Sequence, residues 1–201
     1  MTTIYNLKPA FQNLLRPMVK SLANAGITAN QVTIFATLLS IITGIFIAIN
    51  ANAGWPLLLL PVVLFMRMAL NAIDGMLARE FDMQSALGGF LNELGDVVSD
   101  LFLYIPFALI SGISPTLVFS VIFLALLSEM TGVIAIQVGA SRRYDGPMGK
   151  SDRAFVFGAL ALALGSGLTV SLWVNVLLAV MMILLVLTIY NRMQQALREL
   201  S

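Results

Sequence analysis

The sequence predicts an all-α integral membrane protein with six transmembrane helices, preceded by an amphipathic interfacial helix and with both termini cytoplasmic. Of its 201 residues, 59% are hydrophobic and 10% are charged, whereas a soluble domain carries about 25% charge. The apolar residues form runs of roughly twenty, the length at which a helix crosses a hydrocarbon core. Because lipid offers the backbone no hydrogen-bond partners, such runs must be helical. We therefore expect a single membrane domain over residues 1–201.

Residues 1–29 are expected to form the interfacial helix, and residues 30–201 the bundle. Apolar and basic residues near helical spacing are typical of a helix on a membrane surface, although an ordinary packing helix is the alternative. The apolar residues are Leu7, Phe11, Leu14, Leu15, Met18 and Leu22, and the basic ones are Lys8, Arg16 and Lys20. The spans are expected at about 32–51, 55–78, 88–111, 115–140, 153–168 and 170–191, separated by residues typical of turns.

Basic residues set the orientation of the spans. Ten of the eleven Lys and Arg residues fall at one end of the bundle, and the loops at the other end contain none. By the positive-inside rule the basic end faces the cytoplasm, so we expect a multi-pass protein of the cytoplasmic (inner) membrane. The net charge is only +1, which gives no reason to expect a nucleic-acid partner. The eleventh basic residue, Arg67, lies inside the second span.

Six of the ten carboxylates lie between residues 71 and 100, at the expected cytoplasmic ends of the second and third spans. Helical spacing puts polar residues on one face of each span. On the second span these are Arg67, Asn71 and Asp74, and on the third they are Asn92, Asp96 and Asp100, with Glu93 one position off. Two antiparallel helices joined by a tight turn are therefore predicted to present polar stripes that can face each other.

The chain contains neither cysteine nor histidine, which excludes disulfides, zinc thiolate sites and catalysis by either side chain. Carboxylates that lie close together repel one another unless a cation intervenes. A ligand set made only of oxygen favours a hard ion, first Mg²⁺ and then Mn²⁺ or Ca²⁺, and Mg²⁺ commonly completes its shell with substrate phosphates. A metal-and-phosphate site is the leading interpretation, while a cation path through a channel or transporter and plain polar helix packing stay open.

The acidic stretch also carries a long spaced pattern. It is Asp74-Gly75-x-x-Ala78-Arg79, then eight residues, Gly88, three residues, Asn92, three residues and Asp96. This closely resembles the signature of the CDP-alcohol phosphotransferase (CDP-alcohol phosphatidyltransferase) family. Residues 26–33 and 146–154 resemble two further family segments, although Ala29 stands where the family usually has proline. With six expected spans, the resemblance covers most of the chain.

The resemblance implies a transferase of phospholipid biosynthesis that works as a homodimer at the cytoplasmic face. A CDP-linked lipid such as CDP-diacylglycerol would give its phosphatidyl group to an acceptor alcohol, and CMP would leave. Family members bind two divalent ions, Mg²⁺ or Mn²⁺, at four acidic positions, and the last of these, Asp96, would be the catalytic base. The four positions fall on Asn71, Asp74, Asn92 and Asp96, and CDP-alcohol contacts would fall on Asn30, Gln31, Val32, Thr33, Gly75, Ala78, Arg79, Ser85 and Gly88.

Two of the four acidic positions are asparagine in this chain, Asn71 and Asn92. An amide oxygen can bind a hard ion but brings no charge, so the site could hold one ion, hold two weakly, or recruit Glu93 or Asp100. Catalysis could also be lost, which would leave a lipid- or nucleotide-binding relic of the family. Because the rest of the motif is intact, a working but altered site is the favoured interpretation.

The loop between the fourth and fifth spans is expected to contact the acceptor. Its basic residues are Arg142, Arg143, Lys150 and Arg153. Their charge favours a phosphorylated acceptor, and the alternatives are that they anchor the topology or attract anionic membrane lipids. Glu129, inside the fourth span, has no clear role: it could pair with Arg67, line the acceptor pocket, or form a hydrogen bond within a dimer.

Overall fold

A computed structural model describes residues 7–201, with side chains from residue 10 onward. The expectations for residues 1–6 and for the side chains of Leu7 and Lys8 lie outside this part of the chain. Within residues 7–201 the chain is helical, with turns and short loops and no β-strand. The α-helices are α1 (Leu7–Asn24), α2 (Ala29–Ile49), α3 (Leu59–Glu80), α4 (Ala86–Tyr104), α5 (Pro115–Gln137), α6 (Lys150–Gly165) and α7 (Leu172–Leu200).

Four helical segments of the described chain are long and apolar enough to cross a membrane. They are α2, Trp55–Glu80 with α3, α5, and α7, and their mean hydropathies lie between 1.9 and 2.7. The two other expected spans are also helices, but α4 contains three carboxylates and α6 has only 16 residues. The all-helical membrane class is therefore confirmed, whereas the count of six spans and their orientation stay predictions.

Local chemistry explains where two of the helices differ from the expected spans. α6 begins before its expected start because the Asp152 carboxylate accepts a hydrogen bond from the Gly149 backbone amide at 2.9 Å, which caps the first turn. The third expected span ends early as an α-helix, and Ile105–Leu109 continues it as a 3₁₀-helix. Pro106 lies in that segment, and a proline ring removes the backbone donor that a longer α-helix needs.

The described chain divides into two compact units. The first consists of residues up to 42 together with 62–99, and the second of residues 43–61 together with 100–201. In the first unit, α1 and α3 share an apolar core with the start of α2. Its buried members are Leu15, Val19, Ala29, Val32, Ile73, Met76 and Leu77.

The amphipathic character of α1 is divided between two faces. Leu15 and Val19, one turn apart, are buried in the core of the first unit, as the packing alternative requires. Leu14 and Met18 were expected on the same apolar face but are 76% and 53% exposed. This second apolar face is left available for a membrane surface, as the interfacial interpretation requires.

The second unit contains α5, α6 and α7 with the 3₁₀-helix that follows α4. Its core includes stacked aromatic rings: the centroids of Tyr104 and Phe157 lie 4.0 Å apart, and Phe107 packs on Phe157 at 5.1 Å. All three rings are buried. Gly44 of α2 lies so close to the Phe102 backbone carbonyl that a Cβ there would overlap it. The absence of a side chain therefore permits this close backbone contact.

Candidate active site

The turn between α3 and α4 forms as the sequence predicts. Ser85 caps α4, since its hydroxyl oxygen accepts a hydrogen bond from the Gly88 backbone amide at 3.0 Å. Within the turn Asp82 has a φ of 54°, a left-handed conformation that aspartate tolerates better than most residues. The cap and the turn bring the end of α3 and the start of α4 together.

A cavity of about 350 Å³ lies between the starts of α2 and α4 and the end of α3, within the first unit. Its lining includes seven of the nine expected CDP-alcohol contacts. These are Asn30, Thr33, Gly75, Ala78, Arg79, Ser85 and Gly88, and Asp74 and Asn92 of the acidic set line it as well. Six of the seven named positions of the spaced motif therefore line one concave surface, whereas the seventh, Asp96, is not part of the lining, and neither is Asn71.

Two of the expected nucleotide contacts, Gln31 and Val32, do not line this cavity. The Gln31 side chain accepts a hydrogen bond from the Thr28 backbone amide at 2.9 Å, while the Thr28 hydroxyl accepts one from the Gln31 amide at 3.3 Å. This reciprocal cap starts α2. Val32 is buried in the apolar core. Consecutive residues of a helix point in different directions, so a four-residue motif cannot all face one cavity.

Two glycines leave room for polar groups in the wall of the cavity. A Cβ at Gly88 would lie 2.7 Å from the Asn30 side-chain oxygen and 3.1 Å from the Ser85 hydroxyl oxygen. A Cβ at Gly75 would lie 3.1 Å from a guanidinium nitrogen of Arg79. The close approach of these three polar side chains to the backbone therefore depends on the glycines.

Asp74 and Asp96 are the two carboxylates of the expected metal set. Asp74 is 7% exposed and accepts a hydrogen bond from the Thr33 hydroxyl at 2.7 Å. Asp96 accepts one from the Asn71 side-chain amide at 3.1 Å, and its carboxylate lies 3.5 Å from the Arg67 guanidinium. The Asp96 side chain keeps 28% exposure while that of Arg67 has 5%. Arg67 therefore has a structural partner that the sequence left unassigned.

The expected donor set carries less negative charge than a set of four carboxylates. No group of three or more His, Cys, Asp or Glu residues in the described chain is arranged to hold an ion. The expected set supplies two carboxylates, Asp74 and Asp96, and two amides, Asn71 and Asn92. Relative to four carboxylates it lacks two negative charges, which equals the charge of one divalent ion.

The two residues expected to compensate have different surroundings. Asp100 belongs to the second unit, where its carboxylate lies 3.2 Å from the Arg153 guanidinium. Glu93 is partly buried on α4 and is not part of the cavity lining.

The second unit holds a group of three arginines around one carboxylate, which we call the Glu129 cluster. The Glu129 carboxylate lies 3.0 Å from Arg153, 3.4 Å from Arg192 and 3.6 Å from Arg142. Arg142 also stacks over the Tyr144 ring at 5.1 Å. The sequence named Arg67 as one possible partner of Glu129, and these three ion pairs give it partners that the sequence did not name.

The expected acceptor contacts are not all in this cluster. Arg142 and Arg153 belong to it, but Arg143 pairs instead with Asp145 at 2.9 Å and Glu199 at 2.7 Å. Its pKa is raised above the ordinary value, first by the hydrogen bond to Asp145. Lys150 is the first residue of α6 and is half-buried.

Sequence reasoning missed Arg192 as a member of the cluster. Its side chain is 1% exposed and donates to the Ser128 backbone carbonyl. The sequence offered one signal: Leu185, Thr188, Arg192 and Ala196 follow helical spacing, and all four are buried.

Comparison with known proteins shows which family the chain resembles. The model of the CDP-alcohol phosphatidyltransferase family matches residues 26–190. The inner membrane protein YnbA of Escherichia coli is 45% identical over 197 residues, which cover 97% of this chain and 96% of the relative. Archaetidylinositol phosphate synthase of Pyrococcus horikoshii is 32% identical over 94 residues, 47% of each chain.

A solved structure supports the fold independently. The phosphatidylinositol phosphate synthase of Mycobacterium tuberculosis, crystallised with CDP-DAG bound, superposes with a TM-score of 0.63 at 21% identity, covering 91% of each chain. At this identity the likeness shows a shared fold. Family membership rests on the family match over residues 26–190 and on the extended likeness to the E. coli relative. The chain belongs to the CDP-alcohol phosphatidyltransferase family.

Proposed function

We propose that this protein transfers a phosphatidyl group from a CDP-diacylglycerol-type lipid to an acceptor alcohol and releases CMP. The observation that carries the proposal is the cavity of the first unit, which gathers seven motif residues around Asp74. The named activities of two relatives support the same reaction class, since one is an archaetidylinositol phosphate synthase and the other was crystallised with CDP-DAG.

The donor's nucleotide head would bind in the cavity. Its volume of about 350 Å³ lies at the lower end of the range for small-molecule sites, which suits a nucleotide whose lipid chains remain outside. Arg79 is exposed and lines the cavity, and a guanidinium binds phosphate oxygens in a bidentate manner. Asn30 and Ser85 offer hydrogen bonds to the cytidine or ribose, and Gly75 lets the ligand approach the backbone.

Asp74 and Asp96, with the amide oxygens of Asn71 and Asn92, would hold a single Mg²⁺ or Mn²⁺. When bound, such an ion neutralises charge on the phosphoryl oxygens of the donor. One ion rather than two follows from the charge of the site: exchanging two carboxylates for amides removes two negative charges, so one fewer dication is needed for the same balance.

Asp96 is proposed as the base. Its carboxylate is held by Asn71 and Arg67 and is partly exposed, so it can receive a proton from an acceptor hydroxyl. The acceptor oxygen then bonds to the phosphorus that carries the diacylglycerol, and the bond from that phosphorus to CMP breaks. Two residues of the second unit, Arg153 and Arg142, are proposed to border the acceptor.

The membrane arrangement is part of the proposal. We infer six spans in the inner membrane, with α4 and α6 added to the four apolar helices and the hairpin facing the cytoplasm. Two arguments support this: with six spans, ten of the eleven basic residues would fall at one end of the bundle, and the E. coli relative is an inner membrane protein. The exposed Leu14 and Met18 would rest α1 on the membrane surface, and the functional form would be a homodimer.

The alternative is a relic that binds lipid or nucleotide without catalysis, which the two asparagines favour. Purified protein supplied with CDP-diacylglycerol, Mg²⁺ or Mn²⁺ and a panel of alcohols separates the two. The proposed function predicts CMP release that depends on the acceptor and is lost in Asp96→Asn. Binding of CDP-diacylglycerol with no CMP release for any alcohol would favour the relic.

A further inference from the structure

The Glu129 cluster places a fixed negative charge among the side chains expected to bind the acceptor. Glu129 lies on the apolar helix α5, and one carboxylate oxygen lies 3.0 Å from Arg153 while the other lies 3.4 Å from Arg192 and 3.6 Å from Arg142. The guanidinium groups therefore converge on an internal anion.

The two most buried arginines of the cluster are occupied by internal acceptors. Arg153 is 1% exposed; it contacts Asp100 and Glu129 through one terminal nitrogen and Ser128 and the Met148 carbonyl through the other.

Arg192 is also 1% exposed. It contacts Glu129 and donates to the backbone carbonyls of Ser128 and Asp145. Both guanidiniums are thus held among protein oxygens, and while Glu129 pairs with them they offer an acceptor phosphate almost no surface.

A phosphate group entering this cluster would meet the Glu129 carboxylate. To bind the arginines it would have to displace that carboxylate, and a buried carboxylate without its ion pairs is strongly unfavourable. If the carboxylate stayed, two like charges would share one site, which is also unfavourable. An acceptor without a phosphate meets neither penalty.

We propose that Glu129 is a specificity-determining residue: its carboxylate stands where an acceptor phosphate would otherwise bind the arginines, so the acceptor is an alcohol without a phosphate group. This rests on the proposed function, in which Arg142 and Arg153 border the acceptor. It reverses the expectation drawn from the basic loop alone, because that loop's charge is offset by a carboxylate from a distant part of the sequence.

The test uses matched pairs of acceptors, glycerol with glycerol phosphate and inositol with inositol phosphate. CMP release from CDP-diacylglycerol is measured for the full chain in neutral detergent. The wild type is expected to use the unphosphorylated member of each pair about tenfold better in kcat/KM, or more. Glu129→Gln is expected to shift that ratio at least about tenfold toward the phosphorylated member. The control, Glu199→Gln, removes a carboxylate that pairs with Arg143 outside the cluster and should leave the ratio unchanged.

A binding measurement separates this inference from the proposed function. Millimolar inorganic phosphate should leave the thermal unfolding midpoint of the wild type unchanged and raise that of Glu129→Gln. If no acceptor yields CMP, the proposed function fails, while the phosphate measurement still decides the role of Glu129. A wild type that prefers phosphorylated acceptors, or that phosphate stabilises as much as the variant, would overturn the inference. The wild-type measurements suffice even if Glu129→Gln does not fold.

Discussion

Replacing Gly88 with alanine is a sharp perturbation of the donor cavity. A Cβ at this position would lie 2.7 Å from the Asn30 side-chain oxygen, a separation that Cβ atoms essentially never show, and 3.1 Å from the Ser85 hydroxyl oxygen, which is tighter than most Cβ contacts. Both neighbours end short side chains, so the backbone does not need to move. We expect Gly88→Ala to fold and to push the Asn30 amide away from its position in the cavity wall.

The expected magnitude follows from the lost contact. A displaced Asn30 costs the bound nucleotide one neutral hydrogen bond, about 1 kcal/mol, which corresponds to roughly a fivefold rise in the Kd for CDP-diacylglycerol. The free energy of unfolding should change little, because alanine adds about 0.5–1 kcal/mol of helix stability over glycine and offsets the strain. The variant should therefore lose affinity rather than stability.

The neighbouring glycine provides the control. Gly89 also lines the cavity, and nothing lies within 4 Å of a Cβ there, so Gly89→Ala adds the same methyl group to the cavity wall without displacing Asn30. Calorimetric titration of both variants with CDP-diacylglycerol in detergent micelles measures the Kd, and a thermal melt measures stability. Equal Kd values for Gly88→Ala and Gly89→Ala would refute this account of the cavity.

Three further predictions concern the base, the ion and the packing. Asp96→Asn should lower kcat at least about a hundredfold while CDP-diacylglycerol still binds; retained turnover would mean that another group is the base. The wild type should bind one Mn²⁺ per chain with the donor present, and the double variant Asn71→Asp/Asn92→Asp should bind two, counted by electron paramagnetic resonance; two ions on the wild type would contradict the charge argument. Gly44→Ala should destabilise the protein by about 1–3 kcal/mol, because its Cβ would overlap a backbone carbonyl, and an unchanged thermal midpoint would exclude that contact.

Much of the fold could be predicted from the sequence because lipid permits few alternatives. Long apolar runs must be helical in a membrane, and turn residues fix where they break. The spaced motif also located most of the cavity lining, since its glycines and small residues mark one face of α3 and one face of α4. The resemblance of residues 26–33 to a family segment did not show which side chains of α2 face the cavity. The Gln31 side chain caps the helix instead, and Val32 is buried in the core.

The cluster around Glu129 could not have been predicted from local sequence. Its ion pairs join α5 to residues 13, 24 and 63 positions further along the chain, namely Arg142, Arg153 and Arg192. Helical periodicity shows which face of a helix is polar, but it does not say which helix packs against that face. From the sequence alone, the basic loop therefore resembles a phosphate site, because Glu129, the carboxylate that pairs with two of its arginines, lies far away along the chain.

The division of α1 into two faces was within reach of the sequence. Phe11, Leu15, Val19 and Leu22 follow the period of a helix, and Leu15 and Val19 are buried. Leu14 and Met18 lie one position before Leu15 and Val19 and form the exposed apolar face. The apolar residues of α1 therefore form two faces, one packed in the core and one exposed, and not a single stripe.

The central claim is a transfer reaction in which the phosphatidyl group leaves CMP and joins an alcohol. Its most direct test is to quantify CMP and the phosphatidyl-alcohol product together, by mass spectrometry, after incubating the protein with CDP-diacylglycerol, Mg²⁺ and an unphosphorylated alcohol. The account predicts equal amounts of the two products, both absent in Asp96→Asn. CMP accompanied only by phosphatidic acid, or no CMP with any alcohol, would contradict it.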